Sequence, residues 1–112
     1  MNITVTNVKI MVTAPSENAE EIRLVLGKAG AGIIGNYSYC SETINCLGTF
    51  KGNDSTEPYL GVKNNLEYAE EVRIEVICPI HEAKAVIQKL REVHPYEEPA
   101  IFIIPLIDEK MP

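Results

Sequence analysis

The sequence predicts a ferredoxin-like α+β fold, with strands and helices in the order βαββαβ. A strand-proline-helix pattern occurs twice, as VKIMVTAPSENAEEIRLVL at residues 8–26 and VRIEVICPIHEAKAVIQKL at residues 72–90, and the two segments align without a gap. Pro15 and Pro79 fall at the same joint. Such internal similarity indicates two copies of one supersecondary unit. Another apolar segment follows each copy, and a four-stranded antiparallel sheet with both helices on one face buries both helices.

In the first copy, Val8, Ile10 and Val12 recur with the period of two that is typical of a strand. Ser16 is the predicted N-cap of the helix that follows the proline. Gly30 is predicted to end that helix in a left-handed conformation. The second copy repeats the pattern. The apolar stripes of the two helices consist of Ala19, Ile22, Val25, Leu26 and Ala29, and of Ala83, Val86, Ile87, Leu90 and Val93.

Each helix is followed by a predicted strand, at residues 37–50 and at residues 100–106. Residues 51–70, between the two units, read as one long surface excursion, and connections of this length are often functional. The last strand, AIFIIPL, is apolar on both faces. A strand of this kind needs cover on both sides, and two helices supply only one cover. We therefore predict that the chain forms an oligomer.

The bulk composition narrows the function classes. With 112 residues and 46% hydrophobic residues, residues 1–112 are expected to form one domain. The net charge of −6 argues against nucleic acid and anionic membranes as partners. No apolar run approaches the roughly 20 residues that cross a bilayer. The odd number of cysteines and the lack of a signal-peptide pattern favour a cytoplasmic protein.

Four segments of the chain resemble a known domain. They are AGAGIIGNYSYCS (29–41), GTFKGNDSTEPYLG (48–61), EEVRIEVICP (70–79) and VHPYEEPAIFIIPL (93–106). They are similar to the small domain of the YqfO family, which is inserted in the dinuclear-metal Nif-three proteins and also occurs as a free-standing chain. That domain is related in shape to the PII signalling proteins and to CutA, the divalent-cation-tolerance protein. The resemblance covers nearly the whole chain.

The resemblance implies a PII/CutA-like fold and a homotrimer packed sheet edge to sheet edge. It does not imply a reaction. In the full-length proteins the metals are held by His, Asp and Glu residues of the flanking larger domain, and no residue of this chain matches that site. The chain contains only His81 and His94 as histidines. Hydrolase or cyclohydrolase activity is therefore not carried over, and we predict a non-enzymatic protein.

The segment HPYEE is the main candidate site, with His94, Tyr96, Glu97 and Glu98 as predicted ligand-binding residues. Imidazole and carboxylate groups bind divalent metals, so His94 and Glu97 are also the predicted metal ligands. A metal needs three or four ligands, and a trimer would complete the set. In the alternative interpretation the segment is structural. Pro95 then fixes the turn out of the helix, and the polar side chains bond to the backbone.

A second candidate site is the Gly-rich segment after the first helix, where Gly35, Asn36 and Tyr37 are included among the predicted ligand-binding residues. The alternative is a helix end followed by a tight turn with Asn36 in a left-handed conformation. Cys40 and Cys46 are compatible with a disulfide, a metal pair or free thiols, and free thiols are favoured because other ligands are lacking nearby. His81 is predicted to face solvent at the start of the second helix.

These observations lead to one functional hypothesis and one alternative. The hypothesis is a non-enzymatic, trimeric PII/CutA-like module that binds a small ligand or an ion in the clefts between subunits, or a protein partner. By analogy with PII, residues 41–68 would contact the protein partner. The alternative is a divalent-metal-handling protein of the CutA kind, with a divalent metal as the candidate cofactor.

Overall fold

The computed structural model of the chain describes residues 2–110 and confirms the predicted fold class. Its four strands form one sheet in the order β2-β3-β1-β4, and every neighbouring pair is antiparallel. The elements are β1 (Asn7–Pro15), α1 (Ala19–Lys28), β2 (Glu42–Phe50), β3 (Glu67–Pro79), α2 (Ala83–Val93) and β4 (Ile101–Leu106).

The two copies of the repeat occupy the centre of the sheet. β1 and β3 pair from Asn7 opposite Pro79 to Pro15 opposite Glu71. Each strand leads through a proline into a short 3-10 turn, Ser16–Asn18 or Ile80–Glu82, and then into its helix. The prediction that Ser16 caps the first helix is wrong. Ser16 lies inside the 3-10 turn, and no side chain caps either that turn or α1.

The core lies between the sheet and the two helices. Alternate residues of β1 and β3 point towards the helices. The predicted apolar stripes of the helices pack against these residues. The largest fully buried side chains are Ile10, Ile22, Leu26, Ile74, Leu90, Val8, Val12 and Val86, with Cys78 beside them. The helices therefore cover one face of the sheet and leave the other open.

The end of α1 has the predicted left-handed glycine. Gly30 has a φ of 102° and donates its N–H to Gly27 O at 3.1 Å, while Ala31 donates to Leu26 O at 3.0 Å. These two bonds form a Schellman motif. The tight turn that follows differs from the prediction, because Gly35 has the positive φ of 58° in place of Asn36. Only a glycine takes that conformation without steric cost.

The second strand begins at Glu42 rather than at residue 37. Residues 29–41 instead form a loop that backbone bonds fasten to the sheet. Gly32 donates to Ile77 O at 2.7 Å and accepts from the N–H of Cys40 at 2.8 Å. Tyr39 has a φ of 59°, which a strand cannot include.

The last strand is an edge strand that a single chain leaves largely exposed. Phe102 on the open face is 60% exposed, and Ile103 on the helix face is 50% exposed. The prediction that the helices cover one face of this strand is therefore only partly met. A groove of about 510 Å³ separates α2 from β4, and Ile87 and Ile103 are among its lining residues.

The segment between β2 and β3 is shorter than predicted, spanning residues 51–66. It is a closed loop, since Asn64 donates its N–H to Gly52 O at 2.6 Å and its amide to Asp54 at 2.7 Å. All three cysteines are free thiols. None of the helices within residues 2–110 combines the length and apolar character that crossing a bilayer requires.

Candidate functional site

A cleft of about 480 Å³ lies on the open face of the sheet. Val12 and Val72 point into the helix-covered core, so their neighbours Thr13 and Glu71 point to the opposite face and into the cleft. The other walls come from the end of β2, from the loop 51–66 and from the segment between α2 and β4. We call it the Glu71 cleft. Its volume falls in the range of small-molecule sites, about 300–1,000 Å³.

His94 fixes the segment after α2 to the sheet. Its Nε2 lies 2.8 Å from Thr13 O, and its Nδ1 accepts the backbone N–H of Tyr96 at 3.1 Å. Because a carbonyl oxygen only accepts, Nε2 carries the proton and the ring is neutral. Burial lowers the pKa of His94, although the Thr13 carbonyl and the charge of Glu71 act in the opposite direction. Both ring nitrogens are thus occupied by the protein.

Tyr96 links that segment to β3. Its hydroxyl donates to Glu71 Oε2 at 2.6 Å, a short bond of the kind formed with an ionised acceptor. Burial, and then the Glu71 carboxylate, raises the pKa of Tyr96 above its ordinary value of 10.0. The phenol therefore stays protonated at neutral pH and acts as a donor. Its ring also packs against His94, with centroids 5.1 Å apart.

Glu71 is the buried charge of the cleft, with 8% of its surface exposed. It lies opposite Cys46 of β2 in the strand register. Its Oε1 lies against the Cα of Gly48, so closely that a Cβ at position 48 would overlap the carboxylate oxygen. Glycine within a strand is the usual sign of such a close approach. Gly48 therefore creates the space in which the carboxylate lies.

The loop 51–66 folds back to form the outer wall. Tyr59 donates its hydroxyl to Glu17 at 3.3 Å, and its ring lies 6.2 Å from that of Tyr96, centroid to centroid. The backbone N–H of Glu57 lies 3.3 Å from both carboxylate oxygens of Glu97. The loop thereby contacts both the 3-10 turn before α1 and the segment after α2. The cleft is assembled from parts of the chain that are distant in sequence.

The structure separates the two groups of predicted ligand-binding residues. Tyr96, Glu97 and Glu98 line the cleft, and His94 lies next to it as a support for Tyr96. Gly35, Asn36 and Tyr37 are exposed on a different loop and take no part in the cleft. The predicted solvent exposure of His81 is confirmed, with 79% of its side chain exposed.

The predicted metal site gains no geometric support. Coordination by His94 would require one of its two hydrogen bonds to break. Within residues 2–110, no group of three or more His, Cys, Asp or Glu side chains is arranged to hold a metal ion. Cys40, Cys46 and His94 therefore do not form a shared metal site within these residues.

The sequence pattern did not single out Glu71, Gly48 or Tyr59. Glu71 reads as one acidic residue in a strand of alternating charge, and Tyr59 as one aromatic residue in a loop. A usable signal was Gly48, because a glycine inside a predicted strand indicates that a neighbouring group approaches the backbone. The pairing of β2 with β3 was needed to identify that neighbour as Glu71.

Comparisons with known proteins agree with the predicted resemblance. No protein-family model matches the chain. It is 42% identical over 101 residues to a GTP cyclohydrolase 1 type 2 homolog of Halalkalibacterium halodurans, covering 90% of this chain and 27% of that protein. It is 43% identical over 98 residues to the homolog of Bacillus subtilis, covering 88% of this chain and 26% of that protein. The chain therefore spans about a quarter of the length of these relatives.

Solved structures give the same result. A Bacillus cereus protein related to NIF3 is 39% identical, with a TM-score of 0.81 over 96% of this chain and 27% of that one. The periplasmic divalent cation tolerance protein CutA of Archaeoglobus fulgidus is 23% identical, with a TM-score of 0.68, and the match covers 94% of this chain and 88% of CutA. At that identity the likeness concerns the fold alone. The predicted relation to the small domain of Nif-three proteins and the CutA-like fold are both confirmed.

Proposed function

We propose that this homologue of the small domain of the Nif-three proteins is a non-enzymatic module that binds a small molecule in the Glu71 cleft. The observation that carries the proposal is the construction of the cleft. A cavity of about 480 Å³ contains a buried carboxylate, and hydrogen bonds from three separate segments hold its walls in place. Largely preformed pockets with few polar groups are typical of ligand sites.

The geometry favours binding over chemistry. His94 is neutral and both of its nitrogens are bonded, so it is unsuited to the role of a general base. The raised pKa of Tyr96 makes it a poor acid at neutral pH. The relatives are named as homologs of a cyclohydrolase, but the chain spans about a quarter of their length. We therefore propose no turnover of GTP by this chain.

We also propose that the chain forms the homotrimer that the resemblance implies. β2 and β4 are the two edges of the sheet, and each carries exposed apolar side chains, including Leu47 on β2 and Phe102 on β4. Exposed apolar edges favour pairing with another chain. Contact between the β4 edge of one copy and the β2 edge of the next is head-to-tail, and such contacts form a closed trimer when each contact rotates the next copy by a third of a turn.

The trimer is tested by native mass spectrometry and by sedimentation at micromolar concentration. We expect a trimer for the natural protein and monomers for Phe102→Glu, because the new charge would be buried at the contact. Leu24→Glu is the matched control, since Leu24 is also an exposed apolar residue but lies on the outer side of α1. A monomeric natural protein would contradict the proposal.

Residues 41–68, the segment predicted to contact a protein partner, include the outer wall of the cleft. This segment contains β2 and the loop 51–66, and beyond the β2 edge it carries exposed Leu66 and Tyr68. Because Glu57 and Tyr59 of the loop contact the cleft, a bound ligand would act on the same loop that a partner meets. We propose that ligand binding and partner binding are coupled through it.

The ligand proposal is tested with isotope-labelled protein and a fragment library that includes nucleotides, amines, carboxylates and metal salts. We expect at least one compound to shift the backbone amide signals of Glu57, Tyr59 and Tyr96 together, and to leave those of Gly35 and Tyr37 unchanged. Tyr59→Ala is expected to weaken the binding of that compound, because the loss of the ring opens the outer wall of the cleft. The absence of any compound with this pattern would overturn the proposal.

A further inference from the structure

Glu71 is a buried carboxylate whose charge is not compensated by a cation in the described part of the chain. The ion pairs formed by residues 2–110 involve other carboxylates, such as that of Glu75 with Lys9 and Arg73. The hydroxyl of Tyr96 occupies Oε2, and no hydrogen bond within the described residues reaches Oε1. A buried charge without a partner is costly, and proteins usually pair it. The position therefore lacks a positively charged hydrogen-bond donor.

The free oxygen is accessible from the cleft. Glu71 is part of the cleft lining, and Gly48 leaves open the space in which Oε1 lies. The Tyr96 hydroxyl holds the carboxylate in place from the opposite side of the group. A ligand that enters the cleft would meet an oriented acceptor on a residue of which only 8% is exposed. A hydrogen bond from a ligand to this carboxylate would be charge-assisted, and charge-assisted hydrogen bonds are about twice as strong as those between neutral groups.

The rest of the lining also favours a cation. Glu97 and Glu98 add two further carboxylates, and Lys51, which is exposed, is the one basic residue among the described lining residues. Phe50 and Tyr59 supply aromatic rings, which attract cations through their faces. The excess of negative charge disfavours phosphates and carboxylates. A bare metal ion is also disfavoured, because the described acidic side chains are not grouped for coordination.

We infer that the ligand of the Glu71 cleft is a small organic cation, an ammonium or guanidinium group on an apolar body. Its charged group donates to Glu71 Oε1, and its body packs against Phe50 and Tyr59. This inference rests on the proposed ligand-binding function and specifies the chemical class of the ligand. No covalent change is involved.

The test uses three probes that share a phenyl ring and differ in charge: benzylammonium, benzyl alcohol and benzoate. Binding is measured at neutral pH from the amide shifts of the cleft residues. We expect benzylammonium to bind the natural protein about tenfold more tightly than benzyl alcohol, and benzoate to bind most weakly. In Glu71→Gln the ratio of benzylammonium to benzyl alcohol affinities is expected to fall to about one, because the amide keeps the shape and loses the charge.

Two further variants separate the role of Glu71 from general electrostatics. Glu75→Gln removes a charge from the same strand and face but outside the cleft, so it is expected to keep the tenfold ratio. Gly48→Ala keeps the charge but displaces Oε1, so it is expected to lower the ratio. Gly48 does not have a positive φ, so its replacement adds no backbone strain. Dispersed amide spectra establish that each variant is folded.

Several outcomes would overturn the inference. One is that benzyl alcohol or benzoate binds as tightly as benzylammonium. The others are an unchanged ratio of benzylammonium to benzyl alcohol affinities in Glu71→Gln, and no binding of any of the three probes. In each case a different compound found in the cleft by the fragment library would leave the proposed function standing. If the library also yields no compound that binds the cleft, the proposed function fails as well.

Discussion

The loops that follow the two helices come from equivalent positions in the repeat but are held by different kinds of bonds. After α1, residues 29–41 are fixed through backbone groups, with Gly32 as the central residue. After α2, the segment from His94 to Ala100 is fixed through side chains, with His94 bonded to Thr13 and Tyr96 bonded to Glu71. The backbone bonds of the first loop do not bring its polar side chains, such as those of Asn36 and Tyr37, to the lining of the cleft. The side-chain bonds bring a phenol and a carboxylate together at the edge of a cavity.

The first loop should therefore be sensitive to backbone geometry at one glycine. In Gly32→Ala we expect a loss of about 3 kcal/mol in the free energy of unfolding, measured with urea at fixed protein concentration. Gly32 has a φ of 80°, and a Cβ there would overlap the backbone of Cys40. Gly35→Ala is the control, because Gly35 has a φ of 58° and a Cβ added there would have no heavy atom within 4 Å. We expect it to lose about 1 kcal/mol from backbone strain alone. Equal losses would show that the clash with Cys40 is unimportant.

The second loop should instead be sensitive to the loss of a side chain. His94→Ala leaves the carbonyl of Thr13 and the N–H of Tyr96 without partners, and we expect it to cost about 2 kcal/mol. His81→Ala removes the exposed histidine, and its free energy of unfolding should change by less than about 0.5 kcal/mol. A similar small change in His94→Ala would mean that the two bonds do not hold the loop.

The same contrast predicts a pH dependence for one loop only. Burial lowers the pKa of His94 below 6.5 in the folded protein, so the unfolded chain binds more protons as the pH falls below that value. The stability contribution is therefore complete above pH 6.5 and is lost as the pH falls towards the lowered pKa, by at most about 1.4 kcal/mol per pH unit.

This effect is measured as the difference in unfolding free energy between the natural protein and His94→Gln, from about pH 7.5 to about pH 5.5. The difference should shrink as the pH falls. Glu75, whose pKa is lowered by Lys9 and Arg73, loses its contribution only below 4.5 and does not interfere. Parallel curves for the two proteins would contradict the lowered pKa of His94.

The sequence was sufficient for the fold because the relevant signals are local. The period of two in β1 and β3, the apolar stripes of the helices and the two prolines each act within a few residues, and together they specify the order βαββαβ. The errors lie where backbone conformation decides the outcome. The start of β2 was placed too early because Tyr37 and Tyr39 favour strands by composition, whereas the positive φ at Tyr39 excludes one.

The candidate site could be predicted only in part, because it is made from pairings between distant residues. HPYEE was predicted as the main candidate site, and Tyr96, Glu97 and Glu98 of this segment line the cleft. Glu71 lies 25 positions away from Tyr96 in the sequence, and nothing local marks it as the partner of that hydroxyl. The Gly-rich motif, in contrast, stood out by composition, although its glycines serve the backbone of the loop.

The smallest expected effect concerns Tyr37, the residue for which the sequence prediction and the geometry differ most. Its side chain is 76% exposed and lies outside the cleft. In Tyr37→Ala we expect the unfolding free energy to change by less than about 0.5 kcal/mol. The affinity of any compound found in the Glu71 cleft should also stay the same. Tyr96→Phe, in contrast, should weaken the binding of compounds that bond to Glu71, because the carboxylate loses the hydroxyl that orients it. A loss of binding in Tyr37→Ala would contradict this expectation. It would mean that the Gly35–Tyr37 turn of a neighbouring copy of the chain contributes to the ligand site.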